Sequence, residues 1–533
     1  MKRPHSRKYR PTRRLLIGGM AAAGLTGQRA LSQPRRDPAR LDAALREAIQ
    51  TVVVIFAENR SFNNLFHNFP GLAQPLSAVP KDRFIQRDRD GTPLPHLPPI
   101  WGGLVPTPQL PDGVTHQIGQ DAIGRLANAP FALRTPGGEL LPHGLVTRDL
   151  IHAFYHNQMQ INGGRNDGFV AWGDSGALVM GHYGDTAAQM KLAGLAREFT
   201  LCDNFFMGAF GGSFLNHQYL ICARPPRYPN ADTSPAAHMI AELEGSDPRG
   251  TRLKTLEGTP ASALDGPPKF GANSLSPDFF AVNTMMPPYP PTVRDESSPR
   301  RLPPQTHKTI GDLLSAKSVE WAWYAGAWQA ALDGRTSPGQ TFPPVPNFQL
   351  HHQPFNYFAS FAPGTSEREK RLRDGGLDSS PDTNRFMADA LAGTLPPVAF
   401  YKPQGNLNMH AGYSDVADGD NHIAAVVAAL RASPQWKNML VVVTFDENGG
   451  WWDHVAPPKA DRWGPGTRIP AILISPHVRN RHVEHTVYDT GSILRFITRR
   501  FGLETLPGLK MRDTAMRARE GFAPGDLTEA LAL

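Results

Sequence analysis

The chain has 533 residues, long enough for one large α/β domain with insertions or for two to three smaller ones. Hydrophobic residues make up 40%, with 27 Phe and 9 Trp to build a core, while 51 Pro and 50 Gly point to long irregular connections. The formal charge of +7 does not mark a nucleic-acid binder: residues 1–32 hold eight Lys or Arg and no acid, and subtracting those eight leaves −1.

The N-terminus reads as a targeting segment. Lys2, Arg3, Arg7, Lys8, Arg10, Arg13 and Arg14 precede a mildly apolar stretch from Leu15 to Leu25, too short and too rich in Gly and Ala to span a bilayer. Thr12-Arg13-Arg14-Leu15-Leu16 resembles a bacterial twin-arginine signal, and Ala30-Leu31-Ser32 supplies small residues for cleavage before Gln33. An ordinary secretory signal or a basic tail is the alternative. On this reading residues 1–32 are a signal peptide that engages the twin-arginine export machinery, and residues 33–533 form a single catalytic domain in the periplasm or outside the cell. No later segment has the apolar length of a membrane span.

In chain order, strands are expected at 51–56, 199–205, 318–323, 397–401, 439–445 and 469–475. Helices are expected near 185–197, 214–223, 309–316, 383–392, 421–432 and 488–501. The alternation predicts βαβ units and a mainly parallel central sheet flanked by helices. Segments near 70–146, 224–306 and 329–384 interrupt it as Pro-rich or polar insertions that wall a site. Cys202 falls in a strand and Cys222 in a helix; a disulfide and two buried thiols are both compatible with the sequence.

Two strings carry the chemistry. Val52-Val53-Val54-Ile55-Phe56-Ala57 runs into Glu58-Asn59, and Val441-Val442-Val443-Thr444-Phe445 runs into Asp446-Glu447. Continuous β-branched runs suit strands buried on both faces, and ligands in such sheets bind beyond the carboxyl ends. Three carboxylates at one rim repel one another unless a cation neutralises them, and oxygen donors favour a hard divalent ion. The bland alternative is that each pair caps a turn. Between the strings, Gly211-Gly212-Ser213 leads from a strand into a helix, where backbone N–H groups favour an anion or a serine alkoxide. Serine is also the commonest helix cap. Leu215 stands where an acyl-hydrolase elbow needs glycine, which counts against an esterase or peptidase. Histidines gather on the intervening loops, in Asp149-Leu150-Ile151-His152, His351-His352 and Met409-His410. Imidazoles near rim carboxylates suit leaving-group protonation and phosphate binding.

Four strings together resemble the bacterial phosphoesterase family, which contains non-hemolytic-type phospholipases C and AcpA-like acid phosphatases. They are Glu58-Asn59-Arg60-Ser61-Phe62, Gly163-Gly164-Arg165-Asn166-Asp167-Gly168-Phe169, Cys202-Asp203-Asn204-Phe205-Phe206 and Thr444-Phe445-Asp446-Glu447-Asn448-Gly449-Gly450 with Asp453-His454-Val455. The resemblance implies an alkaline-phosphatase-like α/β fold and a serine nucleophile beside one divalent metal ion. Residue by residue it implies Glu58, Asn59, Ser213, Asp446 and Glu447 as metal ligands, Ser213 as nucleophile, and His152, His351, His352 and His410 as active-site histidines. Asn448 departs from the histidine common at that position among the phospholipases. The expected substrate is a small phosphomonoester or a phospholipid. The absence of a long segment after the last predicted helix, together with Ala281-Val282-Asn283-Thr284-Met285-Met286, favours the acid phosphatase branch. A phospholipase C, or a non-catalytic surface-binding protein on the same scaffold, is the alternative.

Overall fold

A computed structural model describes residues 37–111, 113–291, 298–336 and 345–533. The twin-arginine segment, with its expected cleavage point, lies outside the described residues.

An eight-stranded sheet organises the molecule. Its strands are β1 (Thr51–Ala57), β2 (Thr200–Cys202), β3 (Trp321–Ala325), β4 (Leu372–Asp374), β5 (Val398–Lys402), β6 (Met439–Phe445), β7 (Ala471–Ile474) and β8 (His482–Glu484). The spatial order is β8-β2-β7-β6-β1-β5-β3-β4. β1 pairs in parallel with both β5 and β6, β3 in parallel with β5 and β4, and β8 in parallel with β2. Only β7 runs the other way, antiparallel to both β6 and β2. The carboxyl ends of β1, β5, β6 and β3 therefore share one edge, which they reach with the start of β7.

The centre of the sheet is apolar for a physical reason. β1 and β6 are buried at every position, so each needs cover on both faces. Val52 lies opposite Leu440 on one side and Val398 on the other, and branched side chains fill the pleat. The cover comes from two groups of helices. In one, α1 (Pro38–Ala48) packs on α8 (Thr490–Phe501), α8 on α4 (Ser213–Cys222), and α4 on α5 (Ile310–Ala316). In the other, α7 (Val416–Ala432) packs on both α3 (Lys191–Glu198) and α6 (Arg385–Ala392). Two further helices are α2 (Phe154–Ile161) and, near the C-terminus, α9 (Pro507–Glu520). All ten residues of α4 are buried, so its small amphipathic contrast reflects a helix sunk in the core.

The expected elements correspond closely to those observed, with shifted ends. The helix expected near 185–197 becomes a 3₁₀ stretch, Gly184–Gln189, followed by α3. The helix expected near 421–432 starts earlier, where Asp415 accepts from the Asp418 amide as an N-cap. Both cysteines are buried free thiols. Among the described residues, no helix is long and apolar enough to cross a membrane.

Candidate active site

The shared carboxyl edge collects the side chains that matter. Glu58 and Asn59 leave β1, Asp446 and Glu447 leave β6, Lys402 ends β5, and Ser213 opens α4. Two turns meet there in close contact. Asn59 has φ 61°, and a Cβ on Gly449 would lie 2.4 Å from the Asn59 carbonyl oxygen, so only glycine lets the two turns pack. Gly211 plays the same part before the serine, since a Cβ there would fall 2.5 Å from the Phe154 backbone.

Backbone and side chains lock the acidic turns together. The Asn59 amide donates to Asp446 Oδ1 at 3.1 Å, and the Glu447 amide donates to the same oxygen at 2.8 Å. Ser213 Oγ donates to Asn59 Oδ1 at 3.4 Å. Asp446, Glu447 and Glu58 are fully buried. Burial, then the neighbouring Glu58 charge, pushes Asp446 up to about 7, with a Ser213 hydrogen bond offsetting part of the rise. Burial also pushes Glu447 well above the ordinary carboxylate range.

Glu58 is the exception, and its surroundings explain why. Burial alone would raise it, but His352 Nε2 at 2.5 Å and Lys402 Nζ at 2.8 Å, both on Oε1, hold it well below the ordinary range. Burial drives the His352 imidazole down to about 4, so the full positive charge beside Glu58 is that of the lysine. The other oxygen accepts from Asn408 Nδ2 at 2.8 Å and from the Tyr413 hydroxyl at 2.7 Å.

The histidines occupy two levels. His152, His351 and His410 line a cavity of about 610 Å³ that opens above Ser213, and each of the three expected insertions contributes to its wall, through Thr107, Asn283 and Gln349 among others. The His152 and His410 rings stand 5.7 Å apart, and His410 stacks on Tyr413. Burial opposes a proton on His152, but Glu447 and Asp149 outweigh it and raise its pKa to about 9. Burial lowers His410. His352 lies beneath, fully buried against Glu58 and stacked on His217. His156 and His454, by contrast, are spent elsewhere, His156 against Phe270 and His454 on Asn63 and the Gln74 carbonyl. Asn448, at the position that departs from the resemblance, donates to the Trp451 carbonyl and shapes the turn.

The donor set fits a cation. Asp446 Oδ2, Glu447 Oε1 and His217 Nε2 are buried without a hydrogen-bond partner, an expensive condition for polar atoms unless something else engages them, whereas Glu58 Oε1 already faces Lys402 and His352. Glu58, His217 and Asp446 bring ligand atoms within 4.8 Å of one another, as do Glu58, His351 and His352. Asp149, His152 and His410 form a further group on the cavity wall.

Residues 49–504 match the Phosphoesterase family, whose span takes in every side chain of this site. The chain belongs to that family. Among curated proteins it is similar to a non-hemolytic phospholipase C of Pseudomonas aeruginosa, 31% identical over 22% of this chain and 21% of that protein. It is also similar to phospholipase C A of Mycobacterium tuberculosis, 23% identical over 75% of this chain and 66% of that protein. The matched segments thus span less than two thirds of each relative. A solved protein of the alkaline phosphatase superfamily from Vibrio parahaemolyticus superposes with a TM-score of 0.30 at 11% identity, covering 61% of this chain and 63% of that one. At that score the superposition adds nothing to the description of the sheet given above.

Two site residues carry no sequence motif. Lys402 is a charged residue closing a strand of otherwise buried side chains, and such a lysine must be paired. His217 follows Ser213 by one helical turn and donates from Nδ1 to the Ser213 carbonyl, 2.7 Å away.

Proposed function

We propose that this protein is an exported, metal-dependent phosphoesterase of the acid phosphatase type, which hydrolyses phosphomonoesters through a phosphoserine. One observation carries the reading: Ser213 opens a buried helix directly beside Asn59 and Asp446, amid buried acidic oxygens without hydrogen-bond partners. Glu58, Asn59, Ser213, Asp446 and Glu447 would hold one divalent ion, which supplies positive charge against the phosphoryl oxygens and the serine oxygen.

The chain's own residues provide the rest. Ser213 Oγ gives up its proton to solvent and attacks phosphorus, and the P–O bond to the leaving group breaks as the new one forms. The start of α4 adds favourable backbone dipoles at the attacking oxygen. His410 and His152 stand on the cavity wall where the leaving oxygen departs, and one of them gives it a proton. His351 lines the same cavity from the opposite loop. His352, beneath the wall, and Lys402 fix the Glu58 carboxylate. Water then attacks phosphorus and releases phosphate from Ser213. The basic leader and small-residue site within residues 1–32 support export, with residues 33–533 as the catalytic unit.

A second reading has its own support. Both curated relatives above are named phospholipases C, and a cavity of about 610 Å³ has room beyond a phosphate for a headgroup. Metal analysis joined to a two-substrate assay decides. On the first reading, nitrophenyl phosphate turns over, chelation abolishes it and one divalent ion per chain restores it. Faster cleavage of a phosphocholine diester moves the protein to the second reading. No turnover of either substrate by the metal-loaded protein refutes both.

A further inference from the structure

The motif Gly163–Phe169 is not used by the chemistry above, yet it builds a second cavity. This one, about 430 Å³, is separate from the cavity over Ser213 and is lined by Arg87, Arg89, Arg165 and Arg252 with Trp172 at its side. Asp167 of the motif anchors it. Its carboxylate, nearly buried, accepts from Asn162 Nδ2 at 2.7 Å and faces two guanidinium groups, Arg165 Nε at 3.2 Å and Arg87 Nε at 3.4 Å. One carboxylate thus serves two arginines.

Four arginines line the cavity against the carboxylates of Asp88, Asp90 and Asp167, and Glu244 pairs with one of the arginines from outside the lining. Arg252 is held by Glu244 through Nε at 2.9 Å and lies over the Trp172 ring, 4.9 Å from its centre. Arg89 donates to three carbonyl oxygens, of Ala171, Pro260 and Gly266, in the wall. The two other carboxylates at the rim are engaged locally: Asp88 with Ser262 and the Ala263 amide, Asp90 with Thr92. Among the described residues, no protein acceptor engages Arg165 or Arg252 through Nη, or Arg87 through Nη2. Arg165 and Arg252, held through Nε, and Arg87, held through Nε and Nη1, therefore line one space with Nη groups left over.

Paired N–H donors on planar guanidinium groups match the oxygens of a phosphate-type anion. We propose that this cavity is a second anion site, outside the catalytic centre, for a phosphate group carried either by free inorganic phosphate or by the headgroup of an anionic lipid. It stands independently of the reaction assigned to Ser213.

The test counts phosphates. Equilibrium dialysis of the metal-loaded protein against radiolabelled inorganic phosphate is compared with Arg87→Ala/Arg165→Ala. The variant is expected to bind one phosphate fewer per chain, or to bind it at least tenfold more weakly, with nitrophenyl phosphate turnover within twofold of the parent. Arg165 is largely exposed, so Arg165→Gln alone provides a variant that keeps the fold and should weaken the same phosphate. The source is separated with vesicles of phosphatidylcholine, with or without phosphatidic acid, in a Ser213→Ala background that leaves lipid intact. Arginine-dependent retention on the phosphatidic acid vesicles assigns the lipid headgroup. Loss of the dialysed phosphate without vesicle retention assigns the free ion. Identical behaviour of parent and both variants towards both probes overturns the site.

Discussion

Replacing Lys402 with methionine tests what holds the acidic centre together. Its ammonium lies 2.8 Å from Glu58 Oε1 and 5.6 Å from the centre of the Phe56 ring, and both charged side chains are fully buried. Methionine keeps the stem and removes the charge. Glu58 then retains its hydrogen bonds from Asn408 and Tyr413, but these serve Oε2 and leave Oε1 facing His352 alone. Removing one partner of a buried ion pair costs about 3–5 kcal/mol, and the two surviving donors place this case near 3. Urea denaturation of chelator-treated protein, followed by tryptophan fluorescence, reads the loss. A divalent ion bound at the same carboxylates would replace part of the missing charge, so the penalty should shrink by at least about 1 kcal/mol when the ion is in excess. Lys402→Met/Glu58→Gln removes both charges and should be about 2 kcal/mol more stable than the sum of the single losses. A single-variant loss below about 1 kcal/mol, or a strictly additive double variant, would refute the claim that Lys402 neutralises Glu58.

Ser213→Ala should lower turnover at least about 10³-fold while shifting the melting temperature little, since it deletes one long hydrogen bond at 3.4 Å; retention of most activity would exclude the covalent route. His152→Ala, which removes the wall imidazole that holds its proton to about pH 9, should slow an alkyl phosphate about 10²-fold more than nitrophenyl phosphate, whose leaving group departs without a proton; equal losses on both, with the same result for His410→Ala, would limit these rings to binding. Burial pushes the Cys222 thiol up to about 12 and Cys202 well above its usual value, so the native protein should resist iodoacetamide at pH 8 and melt at the same temperature with or without reductant; rapid alkylation would contradict the burial.

The sheet was legible where the strands are buried on both faces. β1 and β6 read as unbroken apolar runs because helices cover both sides, and the acids that end them mark the edge. The reversal of β7 was not legible: Ala471–Ile474 is as apolar as its parallel neighbours, and direction is set by pairing with β6 and β2. α1 and α9 were missed because Arg, Asp and Lys dilute their apolar stripes, and only Leu45 and Ala48 of α1 are buried. In the site, residues in polar strings after strands stood out, whereas Lys402 closes an apolar strand and His217 lies inside a helix between Asn216 and Gln218. Their proximity to Glu58 and Asp446 depends on strand order and helix docking, which no local pattern encodes. The placing of His352 beneath the cavity wall, one residue from His351 on it, depends likewise on a single turn of 3₁₀ helix.

The reversed strand β7 sets both ends of the segment 446–470 at one rim of the sheet. Because β6 and β7 are neighbours running in opposite directions, with Thr444 opposite Ala471, this segment leaves and re-enters the sheet at the same rim. A parallel partner would have forced the chain to cross to the far edge before returning, fixing its minimum length. Here the base is stapled by Arg468 to Asp453 at 3.0 Å and by Asp453 to the Asn63 amide, so residues beyond that staple are tethered at both feet. Within the span, Phe210 and Met207 donate their amides to the Trp463 and Thr467 carbonyls, Arg462 pairs with Asp278, and Asp461 pairs with Arg512. The span that starts at Asp446 and Glu447 is thus bonded to the segment that leads into Ser213, so the acidic turn and the serine are joined outside the sheet as well as through it.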